Sequence, residues 1–322
     1  TAAVWKDSRE LIVTGSGFTA AEVNVEETNK RVLQYFENTG DQLFLLPGFI
    51  AADKNGVTTT LGRGGSDYTA AILAAAVNAS VTEIWTDVSG MMTADPRLTS
   101  NARIIPNISY QEAMELSHFG AKVIYPPTIQ PVMGKKIPVV IKNTFAPEDP
   151  GTVIEAVSEG KGDIVRGISS INNITLISLE GSGMIGIPGF SKRLFEALSN
   201  EKINVILITQ SSSEHSICVG IDTLLAEKAR QAVDAAFANE IALQKVEPLK
   251  TETGLSIVAL VGENMKNHTG VSGRMFGALG RNGVNVRAIA QGSSEKNIST
   301  VIATADVKKA INVLHEEFFE TT

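Results

Sequence analysis

Residues 189–221 align with residues 270–302 at a constant offset of 81 without a gap, and 15 of the 33 positions are identical. The shared pairs include Gly189/Gly270, Arg193/Arg274, Phe195/Phe276, Leu198/Leu279, Asn204/Asn285, Gln210/Gln291 and Glu214/Glu295. A duplication at this level restricts the C-terminal half to two copies of one supersecondary unit. Each copy reads strand (175–179 and 256–261), amphipathic helix, two strands meeting at Gln-Ser-Ser-Ser-Glu or Gln-Gly-Ser-Ser-Glu, then a closing helix (224–238 and 307–319). The order βαββα, with one further strand after the first copy, is the ferredoxin-like split βαβ. Two copies are too few for a solenoid.

One motif inside the repeat is a decoy. Gly181-Ser182-Gly183-Met184-Ile185-Gly186 satisfies the dinucleotide pattern G-x-G-x-x-G directly after a strand. That chemistry also needs an acidic residue at the end of the next strand, where it holds a ribose. Strand 204–208 runs instead into Thr209-Gln210, and the equivalent loop of the second copy, 262–269, lacks the glycine spacing. The pattern is read as a turn.

In the other half, Gly62-Arg63-Gly64-Gly65-Ser66-Asp67 lies between a β-prone run, 56–61, and an alanine-rich helix, 68–78. Strand, glycine turn and helix leave unpaired N–H groups at a helix N-terminus, a nest that attracts anions. Arg63 adds a guanidinium able to grip a carboxylate or phosphate with two hydrogen bonds. Asp67 adds the opposite charge, so the pair suits a zwitterion such as an amino acid. From spacing alone, a plain βα turn capped by Asp67 accounts for the residues equally well. A second strand, 83–88, also ends in polar residues and leads to a glycine-bearing loop and Asp95-Pro96-Arg97. Ligands of open α/β sheets bind off the carboxyl ends of strands, so the two strand ends read as one crevice.

The words LGRGGSDYTAA (61–71), EIWTDVSG (83–90), TADPR (93–97), SYQEAMELSHFGAKV (109–123) and IKNT (141–144) resemble the aspartate kinases of the amino acid kinase family. The duplicated half resembles a tandem of ACT domains, the small-molecule sensors of amino-acid metabolism. The resemblance implies an α/β protein: part of an amino acid kinase α/β/α sandwich (1–155) followed by two ferredoxin-like (βαββαβ) ACT domains (163–250 and 251–322). In aspartate kinases one ACT copy can be nested in the other, so the last boundary is soft. The implied reaction is transfer of a phosphoryl group from ATP, with Mg²⁺ bridging its phosphates, to the β-carboxylate of L-aspartate. Arg63 and Asp67 would be the catalytic pair, with Arg63 on a substrate carboxylate, Ser66 and Asp67 at the amino-acid head and Phe49, in Pro47-Gly48-Phe49, as one wall. Thr86, Asp87, Met92, Arg97 and Lys122 would face the nucleotide. Two positions depart from the family: Met92 replaces a tyrosine near the adenine, and Tyr125 stands where a histidine often follows the lysine.

The repeated Gln-x-Ser-Ser-Glu words most resemble the bifunctional aspartate kinase–homoserine dehydrogenases. Gln210 and Gln291 are the expected effector-binding residues, with threonine as effector and lysine as the alternative. ACT sheets also pair edge to edge, which implies a homo-oligomer. The Lys-Phe-Gly-Gly-Thr word with which aspartate kinases begin is absent from these 322 residues. The chain is therefore expected to be a fragment, inactive in isolation, whose alternative role is effector binding and oligomerisation.

Further along the chain, a helix is expected over 24–38, strands over 10–13, 43–46 and 138–142, and a capping box at Ser109-Tyr110-Gln111-Glu112. Residues 146–152 read as an acidic surface connection. A net charge of −7 argues against nucleic acid or an anionic membrane as partner. Cys218 is the only cysteine, which excludes an intrachain disulfide and points to the reducing cytoplasm. No apolar run approaches the roughly 18 residues of a membrane span. His118, His215, His268 and His315 lack metal-ligand spacing.

Overall fold

The computed structural model describes residues 3–39, 43–120, 123–157, 163–184, 187–210 and 216–320. They divide into two compact units, 1–93 with 102–166 and 94–101 with 167–322. Among the described residues, no helix is long and apolar enough to cross a membrane.

The first unit runs β1 (Ala3–Trp5), β2 (Val13–Thr14), α1 (Val25–Glu37), β3 (Leu43–Leu45), β4 (Ile50–Asp53), β5 (Thr58–Thr60) and α2 (Gly65–Ala76). It continues with β6 (Thr82–Thr86), β7 (Asn107–Ser109), α3 (Tyr110–His118), α4 (Gln130–Lys135), β8 (Val139–Asn143) and β9 (Thr152–Glu155). The strands form a β1-β3 pair, a β2-β4-β5 sheet and a β6-β8-β9-β7 sheet. Asn24 starts α1 by accepting from the Glu27 amide at 3.1 Å. Helix α1 lays Val32 into a cluster with Ile12, Ala51, Leu61, Ile72 and Ala76, the last two from α2. Most of the alanine-rich α2 is buried, because small side chains let neighbours approach the helix on several sides. The capping box forms: the Glu112 amide donates to Ser109 Oγ at 3.1 Å and the Ser109 amide to Glu112 Oε2 at 3.0 Å.

Of the strand expected over 10–13 only Val13 is extended, in β2; Glu10 ends a 3₁₀ turn, Ser8–Glu10, and Leu11 continues as a turn. Asp7 causes the change, since its carboxylate accepts from the Arg9 amide at 3.0 Å and from the Arg9 guanidinium. Such local side-chain hydrogen bonds offer the backbone an alternative to a sheet. The run 146–152 ends in a pin. Thr152 Oγ1 accepts from the Met91 amide at 2.8 Å and donates to the Ile105 carbonyl at 2.7 Å.

The second unit runs β10 (Gly167–Glu180), α5 (Phe190–Asn200), β11 (Val205–Gln210), β12 (Ser216–Asp222), α6 (Ala226–Ala236) and α7 (Ala238–Ala242). Then follow β13 (Lys250–Val261), α8 (Val271–Arg281), β14 (Val286–Ala290), β15 (Asn297–Ala303) and α9 (Val307–His315). All six strands join one sheet, β11-β12-β10-β13-β15-β14. Strands β10 and β13 pair twice, 167–171 against 257–261 and 174–178 against 250–255, with irregularities between. Asn173, in the left-handed region at φ 61°, marks the break in β10. The first copy thus takes its fourth strand from the start of β13, and the second takes its own from the start of β10.

Several shared positions acquire reasons. Gly189 and Gly270 cap α5 and α8 in left-handed conformations, φ 107° and 89°. Arg193 lies 4.3 Å from the Phe237 ring centroid and pairs with Glu240; Arg274 lies 4.6 Å from the Phe318 centroid and pairs with Glu317. Each arginine ties the first helix of its copy to the end of the second. The closing helix expected to reach residue 319 stops at His315 and turns through a π-helical segment, Glu316–Glu320. The glycine decoy has a packing cause: a Cβ on Gly181 would lie 2.3 Å from the Lys245 carbonyl oxygen and one on Gly183 2.6 Å from Lys245 Cβ.

Gly151 and Gly56 share φ 79°, yet a Cβ on Gly151 would lie 2.1 Å from the Ile141 carbonyl oxygen, whereas nothing lies within 4 Å of one on Gly56. Gly56→Ala is expected to cost about 1 kcal/mol from conformation alone. Gly151→Ala is expected to cost at least about 2 kcal/mol more through the clash. Denaturant unfolding of the two variants checks the difference.

Candidate active site

The turn after β5 is held by close backbone contacts. Gly62 and Gly64 adopt φ 76° and 66°, and α2 begins at Gly65, earlier than the pattern suggested, so Ser66 and Asp67 fall in its first turn. A Cβ on Gly48 would lie 2.9 Å from Ser66 Cα, and one on Gly65 would lie 2.8 Å from Phe49 Cβ. The Pro47-Gly48-Phe49 turn therefore rests directly on the helix start. The Phe49 amide donates to Thr69 Oγ1 at 3.0 Å, and that hydroxyl donates to the Gly65 carbonyl at 2.8 Å. Phe49 is held at φ 59° with its ring half exposed. A bulky residue in that region is strained and persists only where its surroundings over-determine it.

The charges here are not spent on one another. Arg63 has no hydrogen bond or ion pair among the described residues; its guanidinium carbon lies 5.7 Å from the ring centroid of Tyr125. Asp67 is half-buried, and burial raises its carboxyl above the ordinary value, opposed by the Ser66 hydroxyl. It forms no ion pair among the described residues. A free guanidinium, a carboxylate without a counter-charge, a hydroxyl and an exposed ring surround one helix N-terminus. That set matches the carboxylate, ammonium and carbon frame of an amino acid.

Thr86 and Asp87 lie at the end of β6, where Thr86 Oγ1 donates to Asp87 Oδ1 at 3.1 Å. The parallel neighbour β8 places Asn143 beside Thr86. Asn143 Nδ2 donates to Ser89 Oγ at 2.8 Å, Ser89 Oγ donates to Asp149, and Lys142 Nζ donates to the Asp149 carbonyl at 3.1 Å. The sequence reading assigned no role to these four residues. The strand-end rule applied to β8 as well as β6 would have found Asn143. Met92 bridges to Ile104. Arg97 is largely exposed and its guanidinium grips both carboxylate oxygens of Asp95, Nη2 at 2.7 Å and Nε at 3.0 Å, within the segment 94–101 that groups with the second unit. Lys122 lies outside the described residues.

In the second unit, Gln210 closes β11 and lines a cavity of about 290 Å³ at the start of α5, with Met184, Ile187, Phe190, Ser191 and Ile217. Gln291 follows β14 and is exposed. A larger hollow of about 570 Å³ lies elsewhere on the sheet. Its charged groups pair internally, Lys250 with Glu180 at 2.7 Å and Arg287 with Glu252 at 3.2 Å.

Residues 6–143 match the amino acid kinase family, and 177–237 and 258–318 each match the ACT domain. Two solved structures of E. coli aspartokinase III are similar at 34% identity. The one in complex with aspartate and ADP gives a TM-score of 0.79 over 98% of this chain and 70% of that one. The one with lysine and aspartate gives 0.81 over 99% and 70%. The chain belongs to the aspartokinase branch of the amino acid kinase family. A bifunctional aspartokinase/homoserine dehydrogenase of Haemophilus influenzae is 43% identical over 97% of this chain and 38% of its own length. The chain thus spans less than two fifths of the bifunctional relatives it matches.

Asp67 supplies a stability test. Its raised folded value means that the folded state favours the protonated carboxyl. That contribution is present below about pH 4 and is lost as pH rises through the folded value. At neutral pH the ionised group sits half-buried without a counter-charge. Asp67→Asn is therefore expected to raise the ligand-free melting temperature at pH 7, with the gain fading towards about pH 3. A lower melting temperature at pH 7 contradicts it.

Proposed function

We propose that the parent protein is an aspartate kinase, transferring the γ-phosphoryl group of ATP to the β-carboxylate of L-aspartate. The observation that carries the reading is the unpaired Arg63 and Asp67 at one helix N-terminus, in a chain of the aspartokinase branch. At neutral pH the β-carboxylate is already ionised, so it attacks phosphorus without a general base. The O–P bond to ADP breaks as the acyl–phosphate bond forms. Catalysis then rests on positioning and on neutralising phosphate charge. Arg63 holds the substrate carboxylate, Asp67 the ammonium, Ser66 hydrogen-bonds the head group and Phe49 walls the carbon frame. Thr86, Asp87, Met92, Arg97 and Lys122 form the nucleotide side of the proposal, joined by Asn143. Among the described residues no three His, Cys, Asp or Glu side chains are grouped so as to hold a metal ion. Mg²⁺ would be held chiefly by the nucleotide phosphates, its usual arrangement in phosphoryl transfer, and would neutralise their charge there.

The same proposal assigns threonine as effector at Gln210 and, by the repeat, Gln291. The cavity beside Gln210 offers the amide and the Ser191 hydroxyl among apolar side chains, and among the described residues its lining holds no carboxylate. Lysine, bound in the E. coli structure, is the competing effector. Ile208 of β11 and Ile289 of β14 are exposed apolar side chains, which suits burial against another copy of the chain. A homoserine dehydrogenase domain in the parent protein and a cytoplasmic location complete the reading.

In the full-length protein, Arg63→Ala is expected to lower kcat/KM for aspartate about 10- to 150-fold, the worth of a charged two-pronged hydrogen bond, with little change in KM for ATP. An unchanged aspartate kcat/KM makes Arg63 a surface residue. Calorimetric titration is expected to give saturable heat with threonine, reduced in Gln210→Ala. Heat from lysine alone reassigns the effector.

A further inference from the structure

We propose that Tyr125 is a positioning residue for Arg63, its ring face holding the guanidinium over the nest in readiness for a substrate carboxylate. The inference rests on the reading that Arg63 binds that carboxylate.

Tyr125 is itself well anchored. Its carbonyl accepts from both the Thr128 amide, at 2.9 Å, and Thr128 Oγ1, at 2.6 Å. Pro126 and Pro127 follow, and a proline keeps the preceding residue extended, as observed at φ −94° and ψ 118°. The residue is pressed against the nest: a Cβ on Gly64 would lie 2.9 Å from Tyr125 Cβ and 3.2 Å from its Cδ1. The aromatic ring therefore stands beside the residue that follows Arg63 in the chain.

A ring face does something for an arginine that a carboxylate does not. It attracts the cation through its quadrupole and restrains a long, rotamer-rich side chain. It takes none of the guanidinium N–H donors along the in-plane directions that an anion uses. Arg97 shows the other outcome in the same chain, with Asp95 occupying its donors at 2.7 and 3.0 Å. Arg63 has only the ring, at 5.7 Å, and no hydrogen-bond or ion-pair partner among the described residues. It is held and still empty.

The test uses steady-state kinetics of the full-length protein. Tyr125→Phe keeps the face and is expected to leave KM for aspartate within about twofold. Tyr125→Leu removes it and is expected to raise that KM roughly three- to thirtyfold, with kcat and KM for ATP nearly unchanged. Fluorinated phenylalanines at position 125 keep the shape while draining the face, and are expected to raise KM stepwise with fluorine number. In an Arg63→Ala background none of these changes should matter further. A Tyr125→Leu or fluorinated variant that uses aspartate normally, while Arg63→Ala does not, overturns the role of Tyr125 and leaves the substrate reading standing. Losses that persist without Arg63, or that affect ATP equally, also overturn it by tracing the effect to turn packing. If Arg63→Ala itself leaves KM for aspartate unchanged, the substrate reading falls and the proposal falls with it.

Discussion

Around the start of α2, positions 48, 64 and 65 admit almost nothing larger than hydrogen, since an added Cβ would meet a neighbour at 2.8–2.9 Å in each case. Through these contacts the Phe49 turn and the Tyr125 turn both rest on one helix N-terminus. The proposed substrate site is thus framed by backbone approach and by two threonines, Thr69 and Thr128, which tie the turns with hydroxyl bonds. Arg63, Ser66 and Asp67 need take no part in holding the frame. That division of labour lets the charged groups stay unsatisfied, which a rigid support makes tolerable.

The arginines and carboxylates of the chain fall into two kinds accordingly. Arg9, Arg193 and Arg274 hold turns or helix ends together by gripping Asp7, Glu240 and Glu317. Their partners Asp7 and Glu240 are held below the ordinary carboxylate range chiefly by the guanidinium hydrogen bond. Asp67 moves the other way, upward, because it is half-buried with no such partner. An acid destabilised in the ligand-free protein is one that a ligand ammonium can stabilise.

Much of this was legible in the sequence, for physical reasons that also mark where reading stops. The repeat offset identified two ferredoxin-like copies because the same devices recur in each, helix caps at Gly189 and Gly270 and clamps from Arg193 to Glu240 and from Arg274 to Glu317. Strand sharing was foreseen only as the nesting that the family resemblance allows, and the residues themselves did not show it. Residues 167–171 complete the second copy from far upstream, and short polar runs such as Ser169-Ser170 give no sign of a partner in β13. The glycine nest announced itself, but the place of Tyr125 against Arg63 did not, since it depends on how the proline turn folds back. Ser89 and Asp149 were invisible for the same reason: a hydrogen bond between residues from different loops leaves no spacing rule behind.

The central claim is that the α2 N-terminus recognises a zwitterion, one charge at Arg63 and the other at Asp67. Calorimetric titration of the full-length protein with L-aspartate and with succinate, which keeps both carboxylates and lacks the ammonium, tests it most directly. The account predicts saturable binding of aspartate and binding of succinate weaker by at least about tenfold, the worth of a charge-assisted hydrogen bond. Equal affinity for the two would contradict it, since Asp67 would then contribute nothing to recognition.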